Sequence, residues 1–217
     1  MMGGADSAAV RIVWTSKSTT ASKWCKRRLM RFTVFVLFTF AAASSVLALT
    51  PVANFDLGRY LGTWYEIAAI PGFLQTRCAR DTQVTYTSAE NGAMAARTNC
   101  TRADGSADSA ETRIRPLDPA VPAVLKVTSV NFLGIWWYPF GRESIVIGVG
   151  PEYRWLVLGH PSLRYGRIVS HEPSLADSEL RAAGAALTEQ QFDLCNFVTT
   201  PQTKGRVQPA RLCDIVK

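Results

Sequence analysis

The sequence predicts an all-β fold, an eight-stranded antiparallel up-and-down barrel with one C-terminal α-helix packed outside it. Three observations point there. Short β-rich runs recur at roughly 10–12-residue spacing with turn residues between them, the pattern of a sandwich or a barrel. The hydrophobic period changes to a helical one only after Pro173. One helix after eight strands fits a closed barrel better than a sandwich, because closure removes the free edges and leaves room inside for one small ligand.

The strands follow in order. Gly62 to Ala69 is the first, and Gln83 to Thr87 the second, with Val84 and Tyr86 alternating. Asn91-Gly92 is a hairpin signal, and Ala93 to Thr101 returns as the third strand. Asp104-Gly105 marks the next turn, before a thin polar strand from Ala110 to Arg115. Ala123 to Phe132, Ser144 to Val149, Trp155 to Leu158 and Gly166 to Ser170 complete the eight. Ser174-Leu175-Ala176-Asp177 then reads as a capping box after Pro173. Leu180, Ala183 and Leu187 follow on one helical face, suited to pack on the outer wall. Phe197-Val198-Thr199 reads as a last short strand, and the polar residues 201–217 as a loose tail apart from Cys213.

Residues 1–48 read as a leader. A basic run, Lys23 to Arg31, precedes an uncharged stretch from Phe32 to Ala43 and small residues ending Val46-Leu47-Ala48. That is the order of a secretory signal with cleavage after Ala48. The rival is an uncleaved anchor, since Phe32 to Leu49 nearly suffices to span a bilayer. Residues 1–29 have no apolar period and suit an over-extended start or a long n-region. The domain is therefore 49–217, with a barrel core of about 54–200. No Cys follows the apolar run, so no lipidation motif is present. The location expected is exported, in the periplasm or cell envelope, or membrane-anchored if the signal stays.

The net charge of +7 sits almost wholly in the leader, which holds seven basic residues against Asp6. The rest is close to neutral, which argues against a nucleic-acid partner. Beyond the leader four cysteines remain, Cys78, Cys100, Cys195 and Cys213. An even count in an exported chain reads as disulfides. Four allow three pairings, and spacing favours Cys78–Cys100 with Cys195–Cys213. A metal site is disfavoured, because no CxxC and no Cys/His cluster occurs. No cofactor is expected.

The segment from Asn54 to Ala68, with Gly62, Trp64 and Tyr65 in a Gly-x-Trp-Tyr core flanked by Asn54-Phe55-Asp56 and Arg59-Tyr60-Leu61, resembles the lipocalin signature. The likeness is strongest to the bacterial outer-membrane lipocalins and apolipoprotein D. Ala123 to Val127 and Pro151 to Gly159 are similar to later strands of that family. Two positions depart. Where the family usually has an Arg across the barrel-base Trp, this chain has His171, and where it often reads Asp-Tyr, this chain has Arg164-Tyr165. The Arg lid is thus replaced by an imidazole on Trp64, or missing. The resemblance implies transport or storage of small hydrophobic or amphipathic ligands, fatty acids or lysophospholipids, in the barrel cavity.

Trp64 is expected at the closed base. Strand alternation puts Glu66 and Ala68 on its face, where a carboxylate needs a partner or orients a ligand head group. Val127 and Ile147 are the candidate wall residues on later strands. If the first strand leaves the base, the segments near 70–80, 101–108, 132–143 and 160–165 form the mouth. They carry Arg77, Arg80, Arg102, Arg142 and Arg164 against Asp104, Asp108 and Glu143, a modestly basic rim or simply a solvated one. The stretch 131–140, with Trp136, Trp137 and Tyr138, is the most apolar beyond the leader. It either contacts a membrane surface or folds inward to line the pocket. No nucleophile elbow, zinc-protease or dinucleotide motif appears, so a non-enzymatic binder is expected. The runner-up is a lipocalin-fold enzyme acting on a lipid or isoprenoid, with Cys78 or Cys100 as a free thiol. His160 as a haem ligand is the weaker reading beside a rim histidine. Monomer and homodimer both stay open.

Overall fold

The computed structural model describes residues 48–216. The leader features at 1–47 lie outside the described residues. In chain order the helices are α1 (Leu57–Tyr60), α2 (Phe73–Arg77), α3 (Asp177–Glu189) and α4 (Leu212–Ile215), and the strands are β1 (Gly62–Ala69), β2 (Arg80–Ser88), β3 (Met94–Thr101), β4 (Ala107–Pro116), β5 (Val124–Thr128), the short β6 (Asn131–Phe132) and β7 (Ile135–Trp136), β8 (Arg142–Val149), β9 (Trp155–Gly159), β10 (Gly166–Ser170) and β11 (Val198–Thr199). Eight of them pair antiparallel in the order β10-β9-β8-β5-β4-β3-β2-β1, and β10 pairs again with β1 to close the cylinder. The expected strand 123–132 stops at Thr128, and its remainder turns out into the β6–β7 hairpin. Asn91 and Gly92 both take positive φ, 56° and 71°, as a two-residue turn requires.

Two bulges reset which side chains face inward. On β1, Glu66 lies opposite Val169 and Ala68 opposite Ile168, so Ile67 is the extra residue. On β8, Val146 lies opposite Leu158 and Gly148 opposite Val157, so Ile147 is extra. Both bulges push apolar residues out toward one wall. There α3 (Asp177–Glu189) buries Leu180, Ala183 and Leu187 against a layer that includes Ile67, Ala68, Ile145, Ile147, Trp155 and Ile168. Each large aliphatic side chain buried in this way contributes about 1.5–3 kcal/mol. Gly148 allows the close approach, since a Cβ there would come within 2.9 Å of the Ala186 Cβ.

The helix begins later than the capping box at Ser174 predicts. Its N-cap is Ala176, whose N–H donates to Glu179 Oε2 at 3.2 Å. Leu175 packs into the outer layer and Ala176 stays extended, which holds the chain out of helical geometry until Asp177.

The C-terminal stretch is not a loose tail. Above Tyr65–Gln83 the strands β1 and β2 part, leaving backbone groups that need partners. Residues 198–203 fill that gap. β11 pairs with Ala68 and Ala69, Asp81 N donates to Pro201 O at 2.8 Å, and the buried Gln202 amide donates to Glu66 O at 2.9 Å and Thr82 O at 3.0 Å. A short α4 (Leu212–Ile215) buries Leu212 against the outer layer. Cys195–Cys213 fastens this segment, and Cys78–Cys100 fastens the first mouth loop to β3, the pairings that spacing favours.

Candidate ligand cavity

The base is sealed by aromatic packing. A short α1 (Leu57–Tyr60), capped by Asp56 Oδ1 on Gly58 N at 2.8 Å, delivers Tyr60 beneath the barrel. Trp64 is fully buried, and its indole N–H donates to Tyr60 O at 2.9 Å. His171 covers it from outside, with ring centroids 3.7 Å apart and Nδ1 donating to Thr63 O at 2.9 Å. The imidazole thus occupies the place over Trp64. Tyr60 and Tyr86 stack with ring centroids 4.3 Å apart. Burial pushes both phenols above their ordinary range, Tyr60 furthest.

Above this plug the barrel is hollow. A cavity of about 460 Å³ is lined by Glu66 and Ala69 of β1, Thr112 of β4, Val127 of β5, Ser144 of β8, Leu158 of β9 and Arg167 of β10. Phe73, Phe140, His160 and Tyr165 stand round its mouth. Glu66 is only 3% exposed, and its carboxylate accepts from Thr200 Oγ1 at 2.8 Å. Burial pulls the Arg167 guanidinium down, but the field of Tyr86, Glu66 and Tyr60 outweighs it and holds the group firmly cationic. Burial lowers His160, whose Nδ1 lies 2.8 Å from Ser162 Oγ.

The rim is less basic than its composition implies. Arg77 and Arg102 both converge on Asp108, at 2.7 and 3.1 Å, and Arg80 lies 4.0 Å from Asp81. Hydrogen bonding from Arg102 holds the Asp108 carboxyl below its usual range. Arg142 covers the Tyr165 ring.

The predicted site residues divide. Glu66 and Val127 line the cavity. Trp64 is part of the solid base beneath it. Ala68 and Ile147 face outward under α3, because each follows or forms a bulge that breaks the two-residue alternation. Trp136 and Tyr138 lie against the outside of β4, with the Arg113 guanidinium 4.7 Å over Trp136 and that of Arg115 4.1 Å over Tyr138. Strand alternation turns those arginines outward when Thr112 and Ile114 face in. Trp137 is half-exposed beside Phe140 at 6.2 Å. Sequence reasoning missed Arg167, although it shares a strand face with the inward Val169. Phe73 was not singled out from the sequence, and Phe140 was expected only as the end of the apolar mouth stretch 131–140.

The comparisons agree with this architecture. A family model described as a lipocalin-like domain matches residues 55–202. The outer membrane lipoprotein Blc of Escherichia coli strain K12 is 30% identical over 154 residues, covering 70% of this chain and 82% of its own. Apolipoprotein D of Rattus norvegicus is 36% identical over 154 residues, covering 69% and 78%. Among solved structures, insecticyanin from the tobacco hornworm Manduca sexta superposes with a TM-score of 0.56 at 16% identity, covering 73% of this chain and 89% of that one. Lobster apocrustacyanin A1 gives 0.51 at 18% identity, covering 67% and 78%. With the Gly-x-Trp-Tyr strand at a closed base, the eight-stranded barrel and the family match across most of its described length, the chain belongs to the lipocalin family.

Proposed function

We propose that the protein is a non-catalytic carrier or store of single-chain amphiphiles, fatty acids or lysophospholipids, working in the periplasm or cell envelope. The observation that carries this reading is the one-ended cavity, sealed by Trp64 and open between Phe73, Phe140 and Tyr165. A cup of this kind withdraws an acyl chain from water and releases it through one opening. The names of the relatives, an outer membrane lipoprotein and an apolipoprotein, support the location and the ligand class. So do the two disulfides, which belong to oxidising compartments. Because Cys78 and Cys100 are bonded to each other, neither supplies a free thiol for catalysis.

The mouth also favours contact with a membrane surface. Phe73, Phe132, Leu133, Ile135 and Phe140 are all strongly exposed, and Arg113 and Arg115 flank the hairpin that carries three of them. Apolar tips beside cations suit the interface of an anionic bilayer. Titration of the purified protein with a fluorescent fatty acid, followed by competition with lysophosphatidylcholine, tests the cargo. Saturable binding displaced by the lysolipid is expected, and no binding of either ends the carrier reading. Cosedimentation with phosphatidylglycerol vesicles tests the contact.

A further inference from the structure

Among the described residues, no hydrogen bond or ion pair explains the position of Arg167. It faces the cavity on β10, paired with Ala69 and Leu158 on the neighbouring strands. Among the described residues its guanidinium makes neither an ion pair nor a hydrogen bond, in contrast to Arg77, Arg102 and Arg113. The Glu66 carboxylate acts on it only through the longer-range field, together with the phenols of Tyr86 and Tyr60. A cation drawn into a cavity without an acceptor is costly unless something supplies one. Its planar fork of donors matches a carboxylate through two parallel bonds.

We propose that Arg167 is the head-group residue of the cavity, binding the carboxylate of a single-chain acid head-down on the floor. The tail then rises past Val127 and Ile70 toward Phe73 and Phe140, the apolar end. Glu66, fixed by Thr200, lies on the same floor and opposes a second negative charge, which favours a carboxylate over a phosphomonoester. At the rim Arg77 and Arg102 are engaged by Asp108, and Arg142 rests on the face of the Tyr165 ring. This deepens the carrier reading and rests on it.

Calorimetric titration with dodecanoate, dodecanol and dodecyl phosphate separates the two ideas. The unmodified protein should hold dodecanoate about tenfold more tightly than dodecanol, the margin expected of a charge-assisted bond. Arg167→Met should remove that margin while leaving dodecanol binding and the unfolding temperature near their original values, which also shows that the variant folds. Arg164→Met, on the exposed rim, should change neither ligand. Equal loss of acid and alcohol in Arg167→Met, or no loss of acid, overturns the assignment. Tighter binding of dodecyl phosphate than of dodecanoate overturns the choice of carboxylate. If the unmodified protein binds none of the three, it is the carrier reading that fails.

Discussion

At the closed end of the barrel the inward positions carry Trp64, Tyr86, Met94, Leu125 and Leu156, and these pack into one buried cluster. At the open end the same strands present Ala69, Thr112, Val127 and Ser144 inward, and a cavity remains. The difference teaches that this fold separates its two tasks along the barrel axis. Burial at the base supplies stability, and missing volume above it supplies capacity. A substitution should therefore show its effect in unfolding at one end and in binding at the other.

The largest expected effect tests that division directly. Trp64→Ala should cost about 3–5 kcal/mol in urea unfolding, as truncation of a buried aromatic does. Phe140→Ala at the mouth should stay within about 0.5 kcal/mol, because its side chain is mostly in solvent. Equal losses at the two positions would break the comparison.

Next comes the seam that joins the two ends. Replacing Cys195 and Cys213 by Ser releases a loop of 18-residue separation, worth about 3 kcal/mol in the chain-entropy account. Amide exchange should report where the loss falls. Asp81 N, held by Pro201 O, and Thr200 N, held by Ile67 O, should exchange faster than amides in the β2–β3 ladder. If exchange rises uniformly instead, residues 198–203 do not seal the wall as a separate patch.

What the sequence made legible, and what it did not, follows the same physics. Strand placement was readable because Gly62 to Ala69 and Gly166 to Ser170 are bounded by turn residues and match the observed limits. The Leu180, Ala183 and Leu187 stripe was readable because helical periodicity is local. Facing was not readable past Ile67 and Ile147, since a bulge is a property of strand pairing and one extra residue inverts every later side chain. Arg167 was obscured for a related reason. The adjacent Ile168 and Val169 are both buried, one under α3 and one inside the barrel, so apolar pattern gives no parity there. The packing of 201–217 did leave a signal, because Cys213 can pair only if the stretch before it is docked.

The two ends should also fail at opposite extremes of pH. The buried phenols of Tyr60 and Tyr86 have folded pKa values above their unfolded ones. Their contribution is fully present below the unfolded value of about 10 and is lost as pH rises through the folded values. Asp108 at the mouth has the reverse sign. Its folded pKa is depressed, chiefly by the hydrogen bond from Arg102, so its contribution is present above the unfolded value of about 3.9 and lost as pH falls through the folded one. Ultraviolet titration of the phenols should show a delayed fraction that ionises together with unfolding. Normal titration of every tyrosine in the folded protein would place water at the base.

The smallest effect concerns the tip of the mouth hairpin. Leu133 and Gly134 join β6 to β7 with φ of 51° and 81°. That two-residue turn prefers Asn at its first position, and a leucine there is strained. At 86% exposed, Leu133 gains no packing in return. Leu133→Asn should therefore raise stability by about 0.5–1 kcal/mol, the scale of relief at a left-handed position. The same change should weaken cosedimentation with phosphatidylglycerol vesicles while leaving fatty-acid affinity in solution unchanged. A gain in stability with no loss of vesicle binding would detach the tip from the membrane contact and shift that role to Phe132, Ile135 and Phe140.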